Sequence, residues 1–278
     1  MVKRVSVAAV GIPAALYLVY LGGWALGLML ALLAGIGALE VYRLAERAGV
    51  RALVPVGVGG AIAFPLGATA AAGRGIDGGV GLLLVAAWVV AVMMNALQSR
   101  AAADRPLDAV AVTVFGAIYA GALPSFLIWL RQSSTSAWGA TWLVFLPLVV
   151  TWICDTFAMF GGSLIGGRKL APALSPGKTW SGAVIGAISA GILAPLYGTL
   201  VLERVGVSVP LAALVLVGLA VGTLGQMGDL VESLFKREAG VKDSGTVFPG
   251  HGGMLDRLDS LYVGIPVTVL ILRAFNAI

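Results

Sequence analysis

Apolar runs long enough to cross a lipid bilayer recur along the whole chain and restrict its fold more than any other feature. A helix needs about 17 to 25 residues to span the hydrocarbon core of a bilayer. Because lipid cannot hydrogen-bond to exposed backbone groups, each such run must be helical. The sequence therefore predicts an all-α polytopic integral membrane protein with about nine spans, near residues 5–21, 23–40, 53–73, 79–97, 109–130, 140–160, 182–202, 209–235 and 258–276.

The composition excludes a soluble globular protein. Hydrophobic residues make up 59% of the chain and charged residues only 11%, with a mean hydropathy of +1.00. This leaves too little polar surface to cover a globule in water. No lysine-rich tail or RNA-binding motif accompanies the net charge of +5, so no nucleic-acid partner is expected. Since no soluble domain fits between the spans, we expect one membrane domain over residues 1–278.

Basic residues in the loops predict the orientation, because they accumulate on the cytoplasmic side of a membrane. The side opposite to the amino terminus receives only Arg74, Arg131, Arg204 and Arg273. If the amino terminus is cytoplasmic, its side carries 14 of the 18 basic residues, namely Lys3, Arg4, Arg43, Arg47, Arg51, Arg100, Arg105, Arg168, Lys169, Lys178, Lys236, Arg237, Lys242 and Arg257. This bias predicts a multi-pass protein of the cell (inner) membrane with a polar site facing the cytoplasm.

Residues 228–260 hold a concentration of charge that the rest of the chain lacks. Charged side chains are costly at membrane depth, so those that remain there are candidates for function. Asp229, Glu232, Ser233 and Lys236 follow the spacing of one helix face. A salt bridge between Glu232 and Lys236 would explain half of this face, but Asp229 lies deeper in the apolar run and needs a cation or a donor. We expect supporting spans over about residues 1–135 and a catalytic half over about 140–278.

The order of polar and glycine residues in this region resembles that of the phosphatidate cytidylyltransferases, also called CDP-diacylglycerol synthases. Residues 233–259 read S-L-F-K-R-E-A-G-V-K-D-S-G-T-V-F-P-G-H-G-G-M-L-D-R-L-D, and we call them the signature segment. The resemblance implies transfer of CMP from CTP to phosphatidate, giving CDP-diacylglycerol and pyrophosphate in phospholipid biosynthesis. Catalytic roles are expected for Asp229, Lys236, Arg237, Lys242, Asp243, His251, Asp256, Arg257 and Asp259, and substrate contacts for Ser233, Gly252 and Gly253.

A second polar region, residues 155–182, passes from Asp155 into a glycine-rich loop with lysines and hydroxyl groups. Such loops suit phosphate, because glycine lets backbone N–H groups approach an anion while lysines supply charge. Contact with anionic lipid headgroups is the alternative interpretation. The pattern resembles a second motif of the same family, which implies substrate contacts for Ser175, Lys178 and Thr179. The sequence departs from the common pattern at Gly177, often lysine, and at Ser181, often glutamate.

Carboxylates at two places suggest a metal site. Asp229 lies near the end of the eighth predicted span, and Asp256 and Asp259 lie at the start of the ninth. Mg²⁺ binds carboxylates while completing its shell with water and substrate phosphates. We expect Asp229 and Asp256 to be metal ligands, with Asp243 and Asp259 as secondary candidates. The cofactor is expected to be Mg²⁺, alone or with a second metal ion or a monovalent cation.

Two other functions fit parts of the sequence. A CTP-dependent polyprenol or phytol kinase shares the membrane, the nucleotide and the metal, but attacks a different phosphorus of CTP. A cation-coupled transporter would use Asp155, Asp229 and Glu232 as an ion pathway, which leaves the basic and glycine pattern unexplained. An apolar, glycine-rich face is compatible with a homodimer. We expect residues 175–182 and 236–257 to act together on CTP and phosphatidate in the bilayer.

Overall fold

The computed structural model describes residues 13–72, 74, 78–247 and 252–278. Residues 13–21 are helical and precede α1. The helices that follow are α1 Gly23–Arg47, α2 Val54–Ala71, α3 Gly78–Ser99, α4 Pro106–Ala117, α5 Leu123–Gln132, α6 Ala137–Ile165, α7 Trp180–Tyr197, α8 Leu211–Glu238 and α9 Leu255–Ala274. Two short strands, β1 Lys169–Ala171 and β2 Ser175–Thr179, lie between α6 and α7.

Long apolar helices confirm the all-α polytopic membrane fold. Within the described residues, seven helices are long and apolar enough to cross a membrane, with mean hydropathies from 1.5 to 2.4 over an 18-residue stretch of each. They are Gly23–Arg47, Val54–Ala71, Gly79–Ser99, Pro106–Gln132, Ala137–Ile165, Trp180–Val205 and Leu211–Glu238. The helix α9 has 20 residues but is not among them, since Asp256, Arg257, Asp259 and Arg273 lie within it. Part of the predicted span near 5–21 lies outside the described residues.

Two π-helical turns interrupt the longer helical stretches. One, Ile118–Ala122, connects α4 to α5, and the other, Gly198–Leu202, follows α7. Each lies close to a proline, Pro124 and Pro195, and proline cannot donate the regular backbone hydrogen bond of an α-helix. The wider turns therefore fit the presence of proline beside them.

The described chain divides into two compact units. The first combines the chain up to Ile128 with Phe235–Arg257, and the second combines Trp129–Leu234 with Leu258–Ile278. Most of the signature segment thus belongs with the first helices. The helices α8 and α9 each contribute residues to both units.

In the first unit, α1 packs against α2 and α4 through small residues. The buried Tyr42 of α1 donates a hydrogen bond from its hydroxyl to the backbone oxygen of Thr113 at 2.8 Å. Its ring lies where side chains at Gly57 and Gly116 would stand, so only glycine leaves it room at these positions. Close packing of this kind explains part of the glycine content of the chain.

In the second unit, α6 and α7 form the most extensive helix pair. An added Cβ at Gly186 would lie 2.7 Å from the backbone oxygen of Cys154, and one at Gly182 would lie 2.5 Å from that of Ala158. Similarly, a Cβ at Gly191 would lie 2.7 Å from Leu219 of α8. Gly182, Gly186 and Gly191 therefore allow the helices to approach each other closely.

Candidate active site

A β-hairpin, formed by β1 and β2, holds the polar groups of the second polar region in place. Two glycines with positive φ, Gly166 at 65° and Gly167 at 97°, turn the chain away from the end of α6. The strands pair antiparallel, with Lys169 opposite Thr179. Thr179 then caps α7, because its hydroxyl accepts a hydrogen bond from the Gly182 amide at 3.1 Å. Lys178 directly precedes this cap, so the hairpin and α7 together fix its position.

Lys178 lies in a cavity of about 840 Å³ within the second unit. Its ammonium is 2.5 Å from Oδ2 of Asp229, which comes from α8. The other oxygen of Asp229, Oδ1, is 3.4 Å from the hydroxyl of Ser233. Both side chains of the ion pair keep about a quarter of their surface exposed, 26% and 27%, so the pair is accessible to a ligand. The cavity is lined by residues that include Asp155, Met159, Gly162, Lys169, Gly177, Lys178, Thr179, Gln226 and Asp229.

Three carboxylates of this unit share one electrostatic environment. Asp155 and Asp259 each interact electrostatically with Asp229 and with Lys178. Close backbone approach brings α9 to α8 here, since a Cβ at Gly228 would lie 3.0 Å from the backbone oxygen of Asp259. Three acidic groups therefore interact with one ammonium in this part of the second unit. Within the described residues, however, no three His, Cys, Asp or Glu side chains are arranged closely enough to hold a metal ion by themselves.

Gln226 and Ser181 fix the walls of the same cavity. The side-chain amide of Gln226 donates one hydrogen bond to the backbone oxygen of Gly222 in its own helix at 2.6 Å and one to that of Ala183 at 3.1 Å, which links α8 to α7. Ser181, at a position where the family pattern often has glutamate, donates to the backbone oxygen of Gly166 at 2.5 Å. The serine therefore secures the turn before the hairpin.

A second charged cluster, in the first unit, is centred on Asp256. Its Oδ1 accepts a hydrogen bond from the Lys236 ammonium at 2.7 Å. Its Oδ2 accepts three more, from the Ser244 amide, the Ser244 hydroxyl and the Gly253 amide, each at 2.8 Å. The side chains of Lys236 and Asp256 are only 11% and 8% exposed. Asp256 thus connects the two described parts of the signature segment, residues 233–247 and 252–259, through hydrogen bonds.

The hydrogen bonds around Asp256, which lies ahead of the apolar part of α9, keep its carboxylate charged. Burial disfavours the charged form, but hydrogen bonds from Lys236, from the Gly253 amide and from Ser244 outweigh it and lower the pKa of Asp256 from 3.8 to about 2. The carboxylate is therefore ionised throughout the neutral range. Because both of its oxygens already accept hydrogen bonds, its role as a metal ligand stays a prediction.

The structure places the remaining predicted site residues differently from one another. Ser175 lies in β2 and is half-buried. Gly252 has a φ of 84°, which favours glycine. His251 lies outside the described residues. Four charged residues are exposed at the surface, namely Arg237, Lys242, Asp243 and Arg257.

Three polar residues of these clusters were not predicted from the sequence: Glu40, Gln226 and Ser244. Glu40 is completely buried, and its carboxylate is 2.9 Å from the Ser244 hydroxyl. A charged residue inside an apolar span is itself a signal of function, and this signal would have identified Glu40. Nothing in the spacing of Gln226 or Ser244 would have distinguished them from other polar residues.

The fold and these clusters define a class, namely polytopic membrane proteins with a polar site in which lysines and carboxylates face each other. The sequence profile of the Cytidylyltransferase family matches residues 2–275. The chain therefore belongs to the cytidylyltransferase family.

Individual relatives agree with this assignment. A phosphatidate cytidylyltransferase of Brucella abortus is 44% identical over 163 residues, which is 59% of this chain and 56% of the relative. Proteins of the same name from Rickettsia bellii and Bacillus subtilis are each 39% identical, over 53% and 61% of this chain and over 63% and 60% of their own lengths. The similarity thus spans less than two thirds of each relative.

Proposed function

We propose that this protein is a phosphatidate cytidylyltransferase, which transfers CMP from CTP to phosphatidate. The observation that carries the proposal is the Lys178–Asp229 pair in the cavity of the second unit, in a chain of the cytidylyltransferase family. The names of the relatives from Brucella abortus and Bacillus subtilis support the choice of lipid and nucleotide. The product would be CDP-diacylglycerol.

The proposed reaction is a displacement at the α-phosphorus of CTP. A phosphate oxygen of phosphatidate forms a new bond to this phosphorus, and the bond from the α-phosphorus to the bridging oxygen breaks. Pyrophosphate leaves with that oxygen, so atoms and charges balance. Phosphatidate is largely ionised near neutral pH and needs no strong general base. The protein has to position the two phosphates and balance their charge.

Lys178 is proposed to balance part of that charge. Its ammonium already lies beside a carboxylate in an accessible cavity, and a phosphate oxygen would replace Asp229 as its partner or share it. Thr179 holds the hairpin to α7 through its cap, which keeps Lys178 at this position. Lysine acts on phosphate as a compact point charge, so small displacements of its ammonium are tolerated.

The carboxylates near Lys178 fit a divalent cation. Asp155, Asp229 and Asp259 bring negative charge to one region, and Oδ1 of Asp229 lies 3.4 Å from the Ser233 hydroxyl. Asp229 would hold Mg²⁺, with Asp155 and Asp259 nearby. When bound, the ion supplies charge stabilisation on the phosphates. A second metal ion or a monovalent cation would suit the same acidic region.

The test is incubation of the purified protein with labelled CTP and phosphatidate in mixed micelles, followed by analysis of the lipid fraction. We expect a labelled lipid that carries cytidine, together with release of pyrophosphate. A labelled lipid without cytidine would instead indicate a kinase. If no lipid is labelled while CTP stays intact, the proposed activity is wrong.

Replacing Lys178 with alanine is expected to cost about 2 to 4 kcal/mol of transition-state stabilisation, which is the scale of removing one preorganised electrostatic donor. The loss would be measured as a higher KM for CTP or phosphatidate, a lower kcat, or both. Lys178→Arg should recover only part, because guanidinium is larger and planar. Kinetics of Lys178→Ala equal to those of the wild type would mean that the hairpin is only a basic surface segment.

We also propose that the protein lies in the cell's inner membrane with its signature segment facing the cytoplasm, as the distribution of basic residues indicates. In a Cys154→Ser background, Thr246→Cys should react with a membrane-impermeant thiol reagent only after the cells are opened. Thr135→Cys is the matched control, since it is also exposed and lies in a loop assigned to the other side. Reaction of Thr246→Cys in intact cells would overturn the orientation.

A further inference from the structure

Glu40 is an acidic residue buried in the C-terminal third of a long helix, far along the sequence from both charged clusters. It lies in α1, and its side chain is 0% exposed. Burying a charge is costly unless hydrogen bonds compensate for it. A protein keeps such a residue where the hydrogen bonds it accepts serve a purpose.

The carboxylate of Glu40 contacts both described parts of the signature segment, residues 233–247 and 252–259. Oε1 accepts from the Met254 amide at 2.9 Å. Oε2 accepts from the Leu255 amide at 2.9 Å and lies 2.9 Å from the Ser244 hydroxyl, whose single proton is shared between this oxygen and Oδ2 of Asp256. Met254 and Leu255 stand at the amino-terminal end of α9, where free N–H groups and the helix dipole favour a negative charge.

The carboxylate of Glu40 lies so close to two positions of the signature segment that only glycine fits there. A Cβ at Gly245 would collide with Oε1 of Glu40. A Cβ at Gly253 would collide with Oε2 of Glu40 and with the Ser244 hydroxyl. The segment therefore folds closely around Glu40, and any side chain at these two positions would push it away.

The network of Glu40 continues directly into that of Asp256. The Ser244 hydroxyl lies 2.9 Å from Glu40 and 2.8 Å from Oδ2 of Asp256, and Asp256 pairs with Lys236. A shift of Ser244 would thus alter the surroundings of the buried Lys236–Asp256 pair. Glu40 itself contacts neither Lys236 nor the surface in these hydrogen bonds, so it acts through the residues it holds.

We propose that Glu40 is a positioning residue for the signature segment. Its carboxylate holds Ser244 and the start of α9 in the arrangement that sets the Lys236–Asp256 pair. This inference rests on the proposed function only for its effect on turnover, because the arrangement itself can be measured without substrate. It gives α1 a part in the site beyond the support expected of the first spans.

The test compares Glu40→Gln with Glu46→Gln, a matched change at an exposed carboxylate on the same helix. Glutamine places an N–H donor where one carboxylate oxygen accepted hydrogen bonds. Hydrogen exchange at the amides of Met254 and Leu255 should therefore accelerate at least about tenfold, the equivalent of one hydrogen bond to a charged group. Exchange in α6 and α7 should be unchanged, and Glu46→Gln should match the wild type throughout.

Turnover provides the second measurement. Glu40→Gln and Ser244→Ala should each lower kcat, and the loss in the double variant should be smaller than the product of the single losses, since both changes break one shared network. If Glu40→Gln does not yield folded protein, Ser244→Ala alone should still accelerate exchange at Leu255. Unchanged exchange at Met254 and Leu255, acceleration spread equally over α6 and α7, or independent effects in the double variant would each overturn the proposal.

The two proposals fail in different ways. If the wild-type protein makes no cytidine-containing lipid, the proposed function is wrong, while hydrogen exchange still decides on Glu40. If the wild type is active and Glu40→Gln is equally active with unchanged exchange, the positioning role is wrong and the function stands.

Discussion

Asp229→Asn is expected to reduce turnover by at least about 100-fold while the protein remains folded in detergent. The carboxylate pairs with Lys178 at 2.5 Å inside the cavity and lies near two further acidic groups. Asparagine removes the negative charge and turns an amide donor or a weaker acceptor toward the ammonium. Both the position of Lys178 and the attraction for a cation would be lost. Steady-state kinetics at saturating Mg²⁺ measure the effect.

The matched control for Asp229→Asn is Asp108→Asn. Asp108 forms an ion pair with Arg105 in which the two side chains are 62% and 42% exposed, and exposed pairs of this kind contribute little to stability. Its replacement should leave turnover near the wild-type value. Near-normal turnover of Asp229→Asn at saturating Mg²⁺ would remove Asp229 from the proposed mechanism.

Asp256→Asn is expected to abolish turnover for a different reason. Asp256 accepts four hydrogen bonds, from Lys236, Gly253 and twice from Ser244. Asparagine has one acceptor oxygen, so at least one buried donor loses its partner and the Lys236 ammonium loses its counter-charge. We expect loss of activity together with faster hydrogen exchange at the amides of Ser244 and Gly253.

Glu238→Gln serves as the control for Asp256→Asn, because Glu238 is an exposed acid at the end of α8. It should behave as the wild type in both measurements. The pH dependence offers a further check. Since the pKa of Asp256 falls from 3.8 to about 2 on folding, its stabilising contribution is complete above about pH 4 and disappears as the pH falls toward 2. Full activity and unchanged exchange in Asp256→Asn would contradict the role of this carboxylate.

The helical fold could be predicted from the sequence because membrane spans have a simple physical signature. Length and hydropathy identify the spans from α1 to α8 without knowledge of packing, with α4 and α5 forming one span together. The helix α9 was predicted too, although Asp256, Arg257 and Asp259 make its first turns more charged than the apolar stretches of the other spans.

The site could be predicted only in part, because its contacts join residues far apart in the sequence. Lys178 and Asp229 were each candidates, but nothing in the sequence pairs them across 51 positions. The separation between Glu40 and Leu255 is 215 positions. The hairpin around Lys178 was also missed, since β1 has three residues and Pro176 interrupts the pattern of β2. Short strands of this kind depend on tertiary packing more than on local sequence.

The role of the charged residues in the signature segment could also be predicted only in part. Its charged residues were expected to face substrate, yet Asp256 and Lys236 are buried and hydrogen-bonded to the segment itself. Spacing alone cannot separate a carboxylate that binds a ligand from one that organises a loop. The geometry assigns at least the second role to Asp256, while its binding of metal stays a prediction.

The most direct test of the account is to ask which phosphorus of CTP enters the lipid. Purified protein would be incubated with phosphatidate and with CTP labelled at either the α- or the γ-phosphorus, in parallel with the Asp229→Asn variant. The account predicts that label from the α-phosphorus appears in a cytidine-containing lipid, that γ-label appears in pyrophosphate, and that Asp229→Asn forms neither product at a comparable rate. Transfer of the γ-label to lipid, or equal α-label transfer by Asp229→Asn, would contradict it.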